Sequence, residues 1–186
     1  MEYRNFEDSD LKTSVIGFGG WPMGKGHYGS FDEDEVVRAI HAAIDNGITL
    51  FDTAAVYGWG EGEKLLGKAL KGKRDQVVLV SKGGLFWDEA GAVSQRNSAK
   101  EHLSDGLEES LRNLQTDYMD PYLILLPDES RPHSEPMEAF ADQEPGQNPT
   151  GQSQQLHASH DGREQKHIQN SDKPGRLPPV RFPAGN

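Results

Sequence analysis

The sequence predicts an α/β fold in which crossover helices connect the strands of a parallel sheet. Short apolar runs alternate along the 186 residues with longer segments whose apolar side chains recur every three or four positions. This alternation is typical of successive βαβ units. The run at residues 77–81, Val-Val-Leu-Val-Ser, is apolar almost throughout, which indicates a strand buried on both faces, as parallel strands usually are.

The chain is predicted to begin with a β-hairpin that precedes the parallel sheet. Residues 3–6 and 11–13 flank a Ser9-Asp10 turn and are expected to pair with each other. The first strand of the parallel sheet is predicted at residues 15–18, and a glycine-rich segment follows it as far as Gly29. The chain therefore enters the main sheet from an antiparallel pair.

Three helices and three further strands follow in alternation. Ser30 or Asp32 is the expected cap of the first helix, Gly47 its stop, and Gly72 the stop of the second. Pro127 should end the last strand, and residues 137–140 look like the start of a fourth helix. The predicted helices are 32–46, 61–70 and about 98–114; the predicted strands are 49–53, 77–81 and 122–126.

The composition changes at about residue 140. From 141 to 186 only eight of 46 residues are apolar, and they follow neither a two-residue nor a helical period. Such a segment cannot bury enough surface to offset the entropy lost on ordering. We therefore expect a structured segment at 1–140 and a disordered tail at 141–186.

Charge and composition limit the classes of partner. The formal net charge is −11, and it falls before residue 141, which argues against nucleic acid and anionic membranes because both need a basic protein face. The chain has no cysteine, no long apolar run and no apolar segment at its start, so a cytoplasmic protein is expected. His157, His160 and His167 lie in the tail without a supporting carboxylate pattern, and no metal site is predicted.

Residues 51–58, Phe-Asp-Thr-Ala-Ala-Val-Tyr-Gly, together with Lys82 predict an activated tyrosine acid. A phenol titrates near pH 10, so a neighbouring cation is needed if it is to give up its proton near neutrality. A lysine in a partly buried site in turn needs a carboxylate to keep its charge. Asp52, Tyr57 and Lys82 supply the three groups.

Each residue also has an ordinary structural explanation. Asp52 alone would be read as a helix cap or turn residue, Tyr57 as a packed aromatic and Lys82 as a solvated strand end. Their joint spacing favours the site. Gly17-x-Gly19 is weak as a dinucleotide motif, because the third glycine and an immediate helix are lacking.

Residues 1–140 resemble the N-terminal part of the aldo/keto reductases. The resemblance implies an α/β fold of the (β/α)8 TIM barrel type, of which this chain would supply about the first four βα units. It implies reduction of a small-molecule aldehyde or ketone with NADPH, with Asp52, Tyr57 and Lys82 as catalytic residues at the carboxyl ends of strands. Gly20, Trp21 and Asp52 would contact the cofactor, although Trp21 could equally be a core residue. The matching segments are residues 17–21, 51–58, 67–70, 74–79, 81–82, 110–114 and 116–120.

The chain departs from the family pattern after the fourth strand. Leu125 stands where the family has a histidine that orients the substrate carbonyl, and loss of such a hydrogen bond can reduce the rate by about 10²-fold. Pro121 stands where an apolar residue usually enters the strand. Codons shifted by one nucleotide would let the tail encode later family motifs, so a frameshift near Ala141 is our hypothesis for it.

These departures predict an impaired reductase. A half barrel would expose sheet edges and apolar faces, so weak NADPH binding and self-association are expected. The alternative is a protein without turnover, either an inactive truncated gene product or a relative that binds cofactor or a partner.

Overall fold

The computed structural model describes residues 1–5, 11–24, 29–88, 93–126 and 128–131. In chain order the elements are β1 (Tyr3–Asn5), β2 (Lys12–Ser14), β3 (Gly17–Gly19), α1 (Glu33–Asp45), β4 (Leu50–Asp52), α2 (Glu61–Leu70), β5 (Val78–Gly83), β6 (Leu85–Trp87), β7 (Val93–Arg96), α3 (Lys100–Leu114) and β8 (Tyr122–Ile124). Two short 3₁₀ turns, Trp21–Gly24 and Arg74–Gln76, precede α1 and β5.

The main sheet has four parallel strands in the order β3-β4-β5-β8. Phe18 lies opposite Phe51, Phe51 opposite Leu79, and Lys82 opposite Leu123. A helix lies between each strand and the next in the chain, as right-handed crossover connections require. In this sheet, strands that follow one another in the chain are also neighbours in space, as in the wall of a (β/α)8 barrel. The predicted partial barrel is confirmed.

One face of the sheet packs against the helices and forms the core. Phe51, Leu79 and Leu103 have no exposed surface, and Tyr122 is almost fully buried with them. Phe18 stacks on Phe51 with the ring centroids 5.4 Å apart. Because side chains alternate along a strand, the residues that follow these core positions, such as Asp52, point to the opposite face.

The N-terminal hairpin is confirmed. Strands β1 and β2 pair antiparallel, with Tyr3 opposite Ser14, and the Tyr3 hydroxyl donates to the carbonyl oxygen of Gly47 at 3.0 Å. A second hairpin, β6 with β7, was not predicted. It follows directly from β5 through Gly84, which has a φ of +91°, and its strands are too short to produce a clear period in the sequence.

The predicted cap of α1 is confirmed as Asp32. Its side chain accepts hydrogen bonds from the backbone nitrogens of Asp34 at 2.8 Å and Glu35 at 3.1 Å. The helix ends at Asp45, Asn46 is its C-terminal cap, and Gly47 follows with a φ of +82°. Serine at position 30 is therefore not the cap, because the helix begins three residues later at Glu33.

All four strands of the main sheet differ in their bounds from those predicted. Strand β4 occupies Leu50–Asp52 instead of 49–53, and β5 occupies Val78–Gly83 instead of 77–81. Strand β3 occupies Gly17–Gly19 instead of 15–18, because Val15 and Ile16 are exposed residues leading in from the hairpin. Strand β8 ends at Ile124 and leaves Leu125 and Leu126 outside it. The helix predicted at 137–140 and the tail at 141–186 lie outside the described residues.

A partly buried ion pair joins the 3₁₀ turn before β5 to the segment before β8. Arg74 and Asp120 are 2.8 Å apart, and Asp120 also accepts from the backbone nitrogen of Leu79 at 2.8 Å. The guanidinium group lies 3.8 Å from the ring centroid of Tyr118. Pro121 comes just before β8, so its missing N–H interrupts no bond within the strand. Its carbonyl oxygen accepts a hydrogen bond from the Ser81 nitrogen at 3.4 Å.

Within the part of the chain that the structure describes, no helix is both long and apolar enough to cross a membrane.

Candidate active site

The carboxyl ends of β4 and β5 bring Asp52 and Lys82 together. The Lys82 Nζ lies 2.6 Å from the Asp52 Oδ1 and donates to the carbonyl oxygen of Thr53 at 2.9 Å. The lysine side chain is only 12% exposed, whereas that of Asp52 is 40% exposed. Two oxygens therefore hold a nearly buried ammonium group, and one of them carries the compensating charge.

Tyr57 lies in the loop that follows β4 and joins this pair. The Lys82 Nζ lies 5.4 Å from the centroid of the tyrosine ring, within range of a cation–π contact. The loop is held to β5 by a hydrogen bond from the Ala55 nitrogen to the Lys82 carbonyl oxygen at 3.1 Å. The three residues proposed from the sequence are thus neighbours in the structure.

The electrostatics of Tyr57 differ from the prediction. The sequence predicted that Lys82 would lower the pKa of the phenol, but the pKa is raised above 10.0. Burial is the main cause, because it disfavours the phenolate, and the negative charge of Asp52 adds to it. Since Asp52 accompanies the lysine at 2.6 Å, the tyrosine meets an ion pair instead of a lone cation.

Trp21 forms an exposed aromatic wall beside Tyr57. The two rings are stacked with centroids 6.3 Å apart and planes 26° apart, and Trp21 is 52% exposed. The interpretation of Trp21 as a core residue is therefore wrong. Its indole instead offers a flat surface next to the phenol.

Gly20 is required by the backbone on which it packs. Its nitrogen donates to the Asp52 carbonyl oxygen at 2.7 Å, and a Cβ at this position would lie 2.9 Å from the same oxygen. A larger residue would push β3 and its exit away from Asp52. This contact explains why position 20 is a glycine. The contact of Gly20 with a cofactor stays a prediction.

Sequence reasoning missed two parts of the site. The first is the carbonyl oxygen of Thr53, which is a backbone group and so has no residue-type signal. The second is the close contact of Gly24 with Gly58, where a Cβ on Gly24 would lie 2.7 Å from the Gly58 nitrogen. The sequence signal for this contact was the glycine that follows each aromatic residue, Gly24 after Trp21 and Gly58 after Tyr57. The contact brings the Trp21–Gly24 turn against the tyrosine loop.

Leu125 follows β8 immediately, at the same end of the sheet as Lys82. Its nitrogen donates to the Gly83 carbonyl oxygen at 3.0 Å, which continues the register of β8 with β5. Of the histidines in the described residues, His41 contacts the Ala69 carbonyl oxygen at 2.8 Å, and the His102 ring lies against Phe86 in a tilted arrangement. These two serve helix and hairpin packing, and His133 lies outside the described residues.

Comparison with known proteins identifies the family. The sequence profile of the aldo/keto reductase family matches residues 15–144. The aldo-keto reductase YhdN of Bacillus subtilis is 42% identical over 142 residues, covering 75% of this chain and 42% of that protein. The chain belongs to the aldo/keto reductase family.

Solved structures agree with this assignment. The glycerol dehydrogenase AKR11B4 from Gluconobacter oxydans matches with a TM-score of 0.71 and 31% identity, over 84% of this chain and 47% of its own. An aldo-keto reductase from Klebsiella pneumoniae in complex with NADPH matches with a TM-score of 0.58 and 36% identity, over 70% of this chain and 41% of its own. The chain spans less than half the length of these relatives.

In the described segments, no group of three histidine, aspartate or glutamate side chains is arranged to hold a metal ion.

Proposed function

We propose that this chain is an NADPH-dependent carbonyl reductase in which Tyr57 is the proton donor, Lys82 its charge partner and Asp52 the lysine's counterion. The observation that carries the proposal is the position of the Lys82 ammonium, 2.6 Å from Asp52 and 5.4 Å from the Tyr57 ring. Family membership and the NADPH complex of the Klebsiella relative support the cofactor.

The residues present fit the nicotinamide end of such a cofactor. Trp21 exposes about half of its surface beside Tyr57, and Asp52 keeps an exposed carboxylate surface although it is paired with Lys82. An exposed aromatic ring can pack against a flat heterocycle, and a carboxylate can accept from an amide or hydroxyl donor. When bound, the cofactor supplies a hydride to the carbonyl carbon.

The protein's contribution is the proton. Because its pKa is raised, Tyr57 keeps its proton at neutral pH and is present as an acid. Loss of that proton to the substrate oxygen creates a phenolate beside the Lys82 ammonium, which stabilises the new negative charge. Asp52 supplies the negative charge that compensates Lys82 in its nearly buried position.

Leu125 lowers the expected rate. A leucine side chain neither donates nor accepts a hydrogen bond, so a substrate carbonyl near this strand end would lack the partner that the family resemblance predicts. The substrate class we propose is a small aldehyde or ketone. Residues 1–140 would form the reductase-like segment and 141–186 a separate tail.

A second candidate function is cofactor binding without turnover. Two observations favour it: the leucine at position 125, and the raised pKa of Tyr57, which makes the proton harder to release. The two candidates share the cofactor and differ in the chemistry, so a single set of variants distinguishes them.

The test combines an NADPH titration with a turnover assay on an aromatic aldehyde. For a reductase, Tyr57→Phe should retain NADPH binding and lose turnover, because only the hydroxyl is removed. Tyr118→Phe is the matched control, since that phenol lies beside Arg74 and away from the site. NADPH binding without turnover supports the second candidate. So does a residual turnover that Tyr57→Phe leaves unchanged, because it would come from a contaminant. Absence of NADPH binding contradicts both candidates.

A further inference from the structure

Behind the site, on the helix side of the sheet, Glu63 is a carboxylate that the proposed chemistry does not use. It belongs to the first turn of α2 and has no exposed surface. Ser81 Oγ donates to its Oε1 at 2.6 Å, and Asn113 Nδ2 donates to its Oε2 at 3.2 Å. Burying a carboxylate is costly, so a residue that served only to fill space here would be better apolar.

The hydrogen bond from Ser81 links Glu63 to the residue that precedes Lys82. Ser81 is fully buried and faces the helices, whereas Lys82 faces Asp52 on the other side of the sheet. A shift of Ser81 along or out of the strand would move the backbone of Lys82 by a similar amount. The contact between Glu63 and Ser81 therefore holds β5 one residue away from the lysine.

The residue next to Glu63 contacts the tyrosine loop. Gly62 donates its backbone nitrogen to the Tyr57 carbonyl oxygen at 3.1 Å. A Cβ on Gly62 would lie 2.8 Å from that oxygen, so helix and loop are in close contact. The same helical turn thus touches the backbone of Tyr57 through Gly62 and the strand of Lys82 through Glu63.

We propose that Glu63 is a positioning residue that locks the first turn of α2 onto β5 and so sets the distance between the Tyr57 hydroxyl and the Lys82 ammonium. It does not touch the reacting atoms. Its effect on catalysis rests on the proposed function, whereas its effect on the two side chains does not. A displacement of about 1 Å in such a site can reduce a rate by about 10²-fold.

The test uses the full chain with Ser81→Ala and Glu63→Gln, and Glu61→Gln as the matched control. Glu61 lies in the same helical turn but is exposed, and it pairs with Lys64 at 2.8 Å. Ser81→Ala is the milder change, because it keeps the carboxylate and its contact with Asn113. The measurement is the carbon-13 chemical shift of the Tyr57 ring and of the Lys82 side chain at neutral pH, assigned with Tyr57→Phe and Lys82→Met.

We expect Ser81→Ala and Glu63→Gln to move both signals, and the double variant to add little, because one hydrogen bond connects the two residues. Glu61→Gln should leave both signals in place. Turnover, where it is present, should fall about 10-fold with an unchanged KM for NADPH. Altered signals in a chain without turnover would refute the proposed function and support the positioning role.

The proposal is overturned if Ser81→Ala and Glu63→Gln lower the melting temperature but leave the Tyr57 and Lys82 signals unchanged. Glu63 would then only hold α2, β5 and α3 together. Equal shifts in the Glu61→Gln control would overturn it as well, because the effect would then come from the charge of the helix and not from the contact with Ser81.

Discussion

At the scale of single residues, the site centres on Lys82. Its ammonium group meets the Asp52 carboxylate, the Thr53 carbonyl oxygen and the Tyr57 ring, although its side chain is only 12% exposed. The aspartate that pairs with the lysine also offsets the lysine's charge at the phenol. This compensation is consistent with the raised pKa of Tyr57, which leaves the phenol protonated at neutral pH.

Leu125→His is expected to increase turnover. The new imidazole would supply the carbonyl hydrogen bond that leucine lacks, a change on the order of 10²-fold in kcat/KM. The Leu125 nitrogen already bonds to Gly83, so the backbone stays in register. The assay is aldehyde-dependent NADPH oxidation. Leu126→His, one residue further and 40% exposed, is the control, and an equal effect of both variants would argue against the assignment of position 125.

Glu63 should give the protein a distinct pH dependence of stability. Burial raises the pKa of Glu63 above its ordinary 4.5, against hydrogen bonds from Ser81 and Asn113 that lower it. Because the folded state then binds the proton more tightly than the unfolded chain, its contribution to the free energy of unfolding falls as the pH rises from 4.5 to the folded-state pKa. Glu63→Gln should lack this fall.

Urea unfolding of wild type and Glu63→Gln at a series of pH values measures this difference. Relative to wild type, the variant should gain free energy of unfolding as the pH rises from about 4.5 to neutrality. The expectation fails if the two pH profiles run parallel. Glu61→Gln should stay parallel to wild type, since Glu61 is exposed.

At the scale of elements, α2 and α3 pack closely enough to exclude a side chain. Gly67 lies inside α2, and a Cβ there would lie 2.5 Å from the Leu114 carbonyl oxygen at the end of α3. The contact brings the backbones of the two helices together and supports the turn that carries Gly62 and Glu63. Backbone atoms cannot move aside as a flexible side chain can.

Gly67→Ala is expected to destabilise the protein by about 1–3 kcal/mol, because an added methyl group must push the two backbones apart. Alanine in a helix interior ordinarily stabilises by about 1 kcal/mol relative to glycine, so the sign is informative. Gly106→Ala in α3 is the control, since its Cβ would meet only the Tyr122 hydroxyl at 3.3 Å. Chemical denaturation measures both variants, and equal effects would contradict the packing argument.

At the scale of the whole molecule, the main sheet has β3 and β8 as its outer strands among the described residues. Exposed backbone donors and acceptors at a sheet edge can pair with another chain. Self-association through these edges therefore stays a prediction, to be checked by sedimentation velocity over a range of concentrations.

A shortened chain of residues 1–140 tests the division of the molecule. The composition of 141–186 predicts no contribution to a packed core, so the shortened and full chains should melt at the same temperature by circular dichroism. Hydrogen exchange should give both the same protected amides in β4, β5 and α3. A clear drop in melting temperature for the shortened chain would show that the tail contributes to the fold.

Much of the fold could be predicted from the sequence because its signals are local. The spacing of Val36, Ile40 and Ile44 predicts α1, and the apolar run at 77–81 predicts β5. The sequence left the cap of α1 open between Ser30 and Asp32, and the structure shows Asp32. The β6–β7 hairpin was not predictable in this way, since two short strands with a bulge between Phe86 and Trp87 have no regular period.

The sequence by itself determined the order of the parallel strands and the helices between them, and the three candidate residues Asp52, Tyr57 and Lys82. Periodicity and motif spacing depend only on neighbours in the chain. Only the tertiary structure decided that Lys82 also binds the Thr53 carbonyl oxygen, that the pKa of Tyr57 rises, and that Glu63 connects α2 to β5. Burial and charge at a site depend on atoms that are distant in the chain, and folding alone brings those atoms together.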